Sequence, residues 1–395
     1  MSRPRIGLLH YSCPPVIGGV ETILFEHAIR LHARGYPVRV IVGRGGPLPD
    51  GIALEKIPAI DSLQRGATPA EILAGLEGPL RDLDVLVAHN ALTLHFNLAL
   101  TAALWSVADR GRPRVVSWVH DLSWTNPLYR PLMRDAEPYT FLRRHHPGIT
   151  TVCVSRQRLS EWLEISGAPA SSARVIPNGI DPAALLRLGP VTRGLAAELR
   201  LFEVDAVLLA PVRITRRKNL EWALESTAAL RDQGRTVRLV VTGPPGPHDA
   251  HAMGYVDELR ARRRRLSLEQ EVCFLFERAA GEAGGYPVDA AALRDLYMLS
   301  DVVVLPSLSE GFGLPLAEAA LFRTPVVCTD LPAFREVGGD SVRYVRPADG
   351  VPAFTAAIAQ TLTDAPQRLR RRVLAQLSWD RILSGEIEPL LQSLS

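Results

Sequence analysis

Short, almost continuous apolar runs alternate along this chain with longer stretches whose apolar residues recur at helical spacing. The first series reads RIGLLH (5–10), VRVIVG (38–43), DVLVAHN (84–90), RVVSWVH (114–120) and TTVCVS (150–155). A second follows in AVLLAP (206–211), VRLVVTG (237–243), VCFLF (272–276), DVVVLPS (301–307) and TPVVCTD (324–330). Runs this uniformly apolar predict strands buried on both faces, and their alternation with helices predicts parallel sheets of the doubly wound α/β class. Two series predict two sheets, one in each half. Between them RVIPNGIDP (174–182) carries Pro-Asn-Gly and Asp-Pro, which mark a turn and a crossing between domains. The expected domains are residues 1–182 and 183–375, with a helical stretch over 183–203 opening the second. A further helix is expected over about 376–395 from its apolar spacing.

Length agrees, since 395 residues exceed what one ordinary core takes up. With 47% hydrophobic residues, 22% charged residues and a net charge of +3, the composition is globular and lacks the clustered basic excess of a nucleic-acid binder. Cys13, Cys153, Cys273 and Cys328 are far apart and show no metal-ligand spacing, so reduced core cysteines are expected. The N-terminal apolar run is broken by His10 and Pro14-Pro15 and reads as a first strand, not a signal peptide. The longest apolar stretch, around 91–105, falls short of the roughly 20 residues a membrane span needs. A soluble, cytoplasmic protein is the expectation. The arginine runs RARRRRL (260–266) and RRHH (143–146) lack a matching apolar face and are expected to be solvated helix faces, so membrane contact is not favoured. His248 and His251 fall in a Pro- and Gly-rich loop, and Asp82 and Asp84 of DLD adjoin a strand start. Neither pair is expected to hold a metal.

The chemistry concentrates in SEGFGLPLAEAA (309–320), directly after an apolar strand. Pro315 cannot donate a backbone hydrogen bond and belongs in a first helical turn, so a helix is expected to start near Leu314. Its unpaired N–H groups and positive dipole end would face the carboxyl edge of the sheet, where doubly wound folds bind ligands. Gly311 and Gly313 let the backbone approach an anion closely. Glu310 and Glu318 flank that anion site, and carboxylates there suit vicinal sugar hydroxyls rather than phosphate. A ligand carrying both groups is a nucleotide sugar. In PVRITRRKN (211–219), Arg213 and Lys218 can compensate a diphosphate, a role favoured by their place after the second half's first strand. Arg216 and Arg217 lie between them and carry the same charge.

The ordered motifs VRITRRKN, VVTG and LYMLSDVVVLPSLSEGFGLPLAEAALFRTPVV resemble the donor half of retaining glycosyltransferases of the GT-B fold, specifically family 4, with Glu310 and Glu318 matching its E-x7-E pair. PPVIGGVE (14–21) resembles that family's glycine-rich loop, HD (120–121) its strand-end histidine and VIPNGID (175–181) its domain crossing. The chain departs from the pattern at Val212, where glycine is common before the donor arginine, and at Glu277 and Arg278, where a glycine often follows the strand. The resemblance implies two Rossmann-like domains facing across a cleft, with the C-terminal helix returning to the first. It implies Arg213 and Lys218 on the donor diphosphate and Glu318 on the ribose. Glu310 and the backbone of Gly311, Phe312, Gly313 and Leu314 would hold the transferred sugar and the phosphates, with Gly18, Gly19 and His120 approaching from the other domain. Glu21, Asp121 and Trp124 are the acceptor candidates.

The implied activity is transfer of a hexose, from UDP-glucose or GDP-mannose type donors, to a sugar, sugar-acid or saccharide hydroxyl, without a cofactor or an essential divalent metal. Rival readings are a nucleotide-sugar epimerase of the same architecture, a glycoside hydrolase using Glu310 and Glu318, and a non-catalytic nucleotide-sugar binding module. An acceptor-independent interconversion of donors would mark the first. Release of sugar from an unactivated glycoside would mark the second.

Overall fold

The computed structural model describes residues 3–64, 66–246, 252–278 and 288–395, which fall into two compact units. One holds Met1–Gly179 with Trp379–Ser395, the other Ile180–Ser378. In the first, seven parallel strands run β1 (Ile6–Ser12), β2 (Val38–Arg44), β3 (Ala53–Lys56), β4 (Val85–His89), β5 (Arg114–Val119), β6 (Ile149–Cys153) and β7 (Ala173–Val175) in chain order. Their spatial order is β3-β2-β1-β4-β5-β6-β7. The register sets Ile6 beside both Val38 and Val85, and Val85 beside Arg114.

Alternate residues of these strands enter different cores. Ile6, Leu8, Val85 and Trp118 pack with Leu24, Ala28 and Leu31 of the helix Gly19–Ala33, and with Trp379, Ile382, Leu390 and Leu391 of the C-terminal segment. Leu9, Leu86 and Val115 pack on the opposite face with Ile72, Leu76, Leu100 and Leu104. Helices on both faces are why the strands read as unbroken apolar runs. The helix Pro69–Leu80 starts where Thr68 and Glu71 satisfy each other's backbone N–H groups, at 3.2 and 2.7 Å.

The second unit repeats the plan with β8 (Ala206–Ala210), β9 (Val237–Val241), β10 (Val272–Phe274), β11 (Val302–Leu305), β12 (Val326–Thr329) and β13 (Arg343–Val345). Their spatial order is β10-β9-β8-β11-β12-β13. In each sheet the order reverses once, at β1/β4 and at β8/β11, and the carboxyl ends there form the crevice in which such sheets hold ligands. The strands that periodicity does not mark, β3, β7 and β13, are all short edge strands without a fully buried run. Edges bury less and so carry a weaker apolar signal.

Asp301 precedes β11 and is fully buried; its carboxylate accepts from Val207 N (2.7 Å), Arg370 Nη1 (2.9 Å) and Arg371 Nε (2.6 Å). The arginine run is a solvated helix face only in part: Arg264 and Arg265 are exposed as expected, and the others are paired. Arg260 and Arg263 converge on Glu277 at 2.6 and 2.8 Å, and Arg262 pairs with Glu225, because the helix Ala252–Arg265 lies within reach of carboxylates on neighbouring elements. RRHH is likewise not a solvated helix face: Arg143 ends a 3-10 turn and stacks on Trp124, while Arg144 pairs with Glu137 and His146 with Asp109. Asp82 and Asp84 are taken up by Arg39, Arg5 and Arg112. All four cysteines are buried free thiols. Among the described residues no helix is long and apolar enough to cross a membrane.

Candidate functional site

In the second unit the segments after β8 and β11 meet at the switch point. Leu308 N donates to Arg217 O at 2.7 Å, which fixes one loop against the other, and Thr329 Oγ1 at the end of β12 donates to Ser307 O at 2.5 Å. This brings Lys218 onto Glu310, with side chains only 7% and 10% exposed, in a direct ion pair through Nζ and Oε2. Arg217 Nη1 lies 3.3 Å from Glu310 Oε1, and Gly311 N donates to the same oxygen at 3.2 Å. Burial works to raise the Glu310 carboxyl, but Lys218, Arg217 and the Gly311 N–H together outweigh it and hold the group below the usual carboxylate range. Arg216 is turned away onto Glu258, at 2.8 Å through Oε2, and over the Tyr255 ring.

The helix Leu314–Leu321 starts behind Gly313, whose φ of +97° lies in the left-handed region that glycine tolerates. The N–H groups of a first helical turn have no intrahelical partner, so this end suits an anion. Phe312 and Leu314 are exposed there. Glu318 is held by Tyr297, whose hydroxyl donates to Oε2 at 2.6 Å while its ring stacks on Phe322.

Arg213 is exposed and has no ion-pair partner among the described residues. Its backbone is pinned by Gly243, where a methyl group would lie 2.3 Å from Val212 O and 2.5 Å from Arg213 Cα. Gly243→Ala is therefore expected to shift Arg213, to destabilise the protein by about 1–3 kcal/mol through overpacking, and to weaken binding of a diphosphate ligand in calorimetry. An unchanged melting temperature together with unchanged affinity would contradict this.

Sequence reasoning passed over Tyr297, Ser307, Thr215 and Asn219. Ser307 Oγ, Thr215 Oγ1 and Asn219 Nδ2 are buried without a hydrogen-bond partner among the described residues, and all three lie on the two loops that carry Lys218 and Glu310. The only available signal was a polar residue just beyond an apolar run. Buried polar atoms of this kind mark places where a ligand can supply the missing partner.

In the first unit, His120 follows β5 and its Nε2 lies 3.2 Å from His89 Nδ1. Asn90, also passed over, holds the turn: at a φ of +57° its Oδ1 accepts from His120 N at 2.8 Å and Asp121 N at 3.1 Å. Gly18 and Gly19 stand at the start of the helix Gly19–Ala33. Glu21 is turned inward, accepting from Ser12 Oγ at 2.8 Å beside His10. Asp121 is half-exposed, 3.7 Å from Arg158. Trp124 requires a correction as an acceptor platform, for it is 5% exposed, its indole N–H donates to Tyr139 O at 3.0 Å, and two guanidinium groups stack on its ring. The ring is committed to packing. Among the described residues no group of three or more His, Cys, Asp or Glu side chains is placed to hold a metal, and His248 and His251 lie outside the described residues.

Two family profiles match the chain. Glycosyltransferase Family 4 matches residues 17–184, and Glycosyl transferases group 1 matches residues 205–364. Among similar proteins, the D-inositol 3-phosphate glycosyltransferase of Stackebrandtia nassauensis is 26% identical over 383 residues, covering 89% of this chain and 81% of the relative. The MMP alpha-(1->4)-mannosyltransferase of Mycolicibacterium hassiacum is 26% identical over 438 residues, covering 97% of each chain. The mannosylglucosylglycerate synthase of Petrotoga mobilis is 22% identical over 275 residues, covering 65% and 62%.

Proposed function

The chain belongs to glycosyltransferase family 4, whose members have the GT-B fold and retain anomeric configuration, and from that premise we propose that it moves a hexose from a UDP-glucose or GDP-mannose type donor to a hydroxyl of a sugar, sugar-acid or saccharide acceptor. The observation that carries this reading is the buried Lys218–Glu310 pair, set beside the helix start of Leu314–Leu321 at the β8/β11 switch point. Lys218 and Arg213 would bind the diphosphate, Glu318 the ribose, and Glu310 with the backbone of Gly311–Leu314 the sugar and phosphates. Gly18 and Gly19 would approach the donor, and His120 would hydrogen-bond its sugar. Glu21 and Asp121 remain the acceptor candidates. One relative is named for glycosyl transfer to D-inositol 3-phosphate and another for mannosyl transfer, which supports a polyhydroxylated acceptor and a hexose as the group moved.

Catalysis in this reading is stabilisation of the charge that builds on the leaving diphosphate, by preorganised N–H groups and the two cations. A diphosphate oxygen takes the proton of the acceptor hydroxyl, so no side chain serves as general base.

The test is a thermal-shift panel of nucleotide sugars, followed by mass spectrometry and NMR of products with candidate acceptors. One nucleotide sugar is expected to raise the melting temperature, turnover is expected to survive EDTA, and the product is expected to keep the anomeric configuration of the donor. Inversion, loss of turnover on chelation, or association with no activated sugar would overturn the corresponding part.

A further inference from the structure

His10, His27, His89 and His120 gather at the carboxyl ends of β1, β4 and β5 and on the helix Gly19–Ala33. Burial and the neighbouring imidazoles favour the neutral form throughout: His27 and His120 are pushed down to about 3, and His89 well below its ordinary value. Burial also lowers His10, against the opposing pull of the His89 carbonyl and Glu21. A neutral imidazole carries one proton, so each contact constrains the next.

His10 Nδ1 lies 2.9 Å from His89 O, and a carbonyl only accepts, so the His10 proton sits on Nδ1. His89 Nδ1 faces His120 Nε2 at 3.2 Å, with the rings within 24° of parallel, so one proton is shared between these two nitrogens. The second nitrogen of His89 decides which residue owns it. His89 Nε2 is buried beside His27 and Trp118 and has no hydrogen-bond partner among the described residues. A proton on Nε2 would create an orphaned buried N–H, which folded proteins avoid more strictly than an unfilled acceptor. The His89 proton therefore belongs on Nδ1, pointing at His120. His120 Nε2 must then be bare, and its own proton lies on Nδ1.

We propose that His89 is a positioning residue that fixes His120 as the Nδ1–H tautomer, so that His120 offers a proton rather than a lone pair to an oxygen of the bound sugar. This rests on the reading of His120 as a donor-sugar contact. It adds that His120 orients the sugar and cannot act as a base through Nδ1. Asn90, the residue after His89, holds the His120 backbone N–H, so the backbone position and the tautomer of His120 are set by adjacent residues.

The experiment is long-range proton–nitrogen correlation NMR on the full chain labelled with 15N-histidine, the His120 signals being assigned by their loss in His120→Asn. The expected spectrum has a protonated Nδ1 and a bare Nε2 in His120. Replacement of His89 by leucine, which removes the donor, is expected to mix the His120 tautomers and lower kcat about tenfold, the scale of one lost hydrogen bond. His89→Asn, whose amide can donate from near the same place, is expected to keep the tautomer and to hold kcat within about threefold of the parent. A His120 proton on Nε2, or a His89→Leu protein with tautomer and turnover unchanged, would overturn the proposal. The parent spectrum decides by itself if that variant is poorly folded. If His120→Asn left turnover intact while the tautomer stood as stated, the sugar contact would fall and the His89 assignment would survive.

Discussion

Lys218→Ala is expected to lower kcat by about two to three orders of magnitude, the range found when one preorganised donor to a developing anion is removed. Lys218 is held almost dry against Glu310 and cannot relax into solvent in the free enzyme. The same immobility makes it an effective partner for a leaving diphosphate, because little reorganisation remains at the moment of bond cleavage. Glu310→Gln is expected to be nearly as damaging while leaving the loop in place, since the amide keeps the shape of the carboxylate and one acceptor for Lys218.

The two variants differ in how they perturb the fold. Without Lys218, Glu310 still has Arg217 at 3.3 Å and the Gly311 N–H, so the fold is expected to survive. Turnover within about threefold of the parent in either variant would remove the assignment. The pH dependence has a definite sign. The folded-state pKa of Glu310 is depressed, so its pair contributes stability above the ordinary glutamate value of about 4.3 and loses it as pH falls through the folded value. The stability gap between the parent and Glu310→Gln should therefore narrow only in acid, and a gap that instead narrowed between neutral and alkaline pH would contradict this account.

The largest expected effect on stability is at Asp301. Asp301→Ala would leave Arg370 and Arg371 without their shared carboxylate and Val207 N without its acceptor, at a cost of about 3–5 kcal/mol for breaking a buried charge set from one side. Burial already lowers the Arg370 pKa against the pull of Asp301, so losing the carboxylate worsens an unfavourable site. Urea unfolding of the full chain should show the loss as an earlier midpoint for the transition that includes residues 180–378. Asp301→Asn should recover only the hydrogen bonds that converge on Oδ2, from Val207 N and Arg371 Nε, because an amide NH2 cannot accept from Arg370 and the two guanidinium charges stay uncompensated. A midpoint shift worth less than about 0.5 kcal/mol for Asp301→Ala would show that the arginines find other partners.

The resemblance in the second half rests on short local motifs, which is why the helix start at Leu314 was legible. Proline inside the first turn and glycine before it satisfy steric rules that act within three residues. The same local reading could not rank Arg213, Arg216, Arg217 and Lys218, which share charge and neighbourhood. The fold separates them by partner: Lys218 and Arg217 reach Glu310, Arg216 reaches Glu258, and Arg213 stays exposed beside Gly243. Nor could spacing show that the arginines of 260–263 meet Glu277 and Glu225, or that Trp124 is covered by guanidinium groups.

From the sequence alone came the central strands, the doubly wound plan and the catalytic vocabulary, because burial on both faces and turn stereochemistry leave their mark on neighbouring residues. Tertiary structure alone decided who meets whom: the Lys218–Glu310 pair spans 92 positions, and the contact between His89 and His120 spans 31. Ion pairing and proton sharing depend on distance through space, and no local period in a chain encodes that distance.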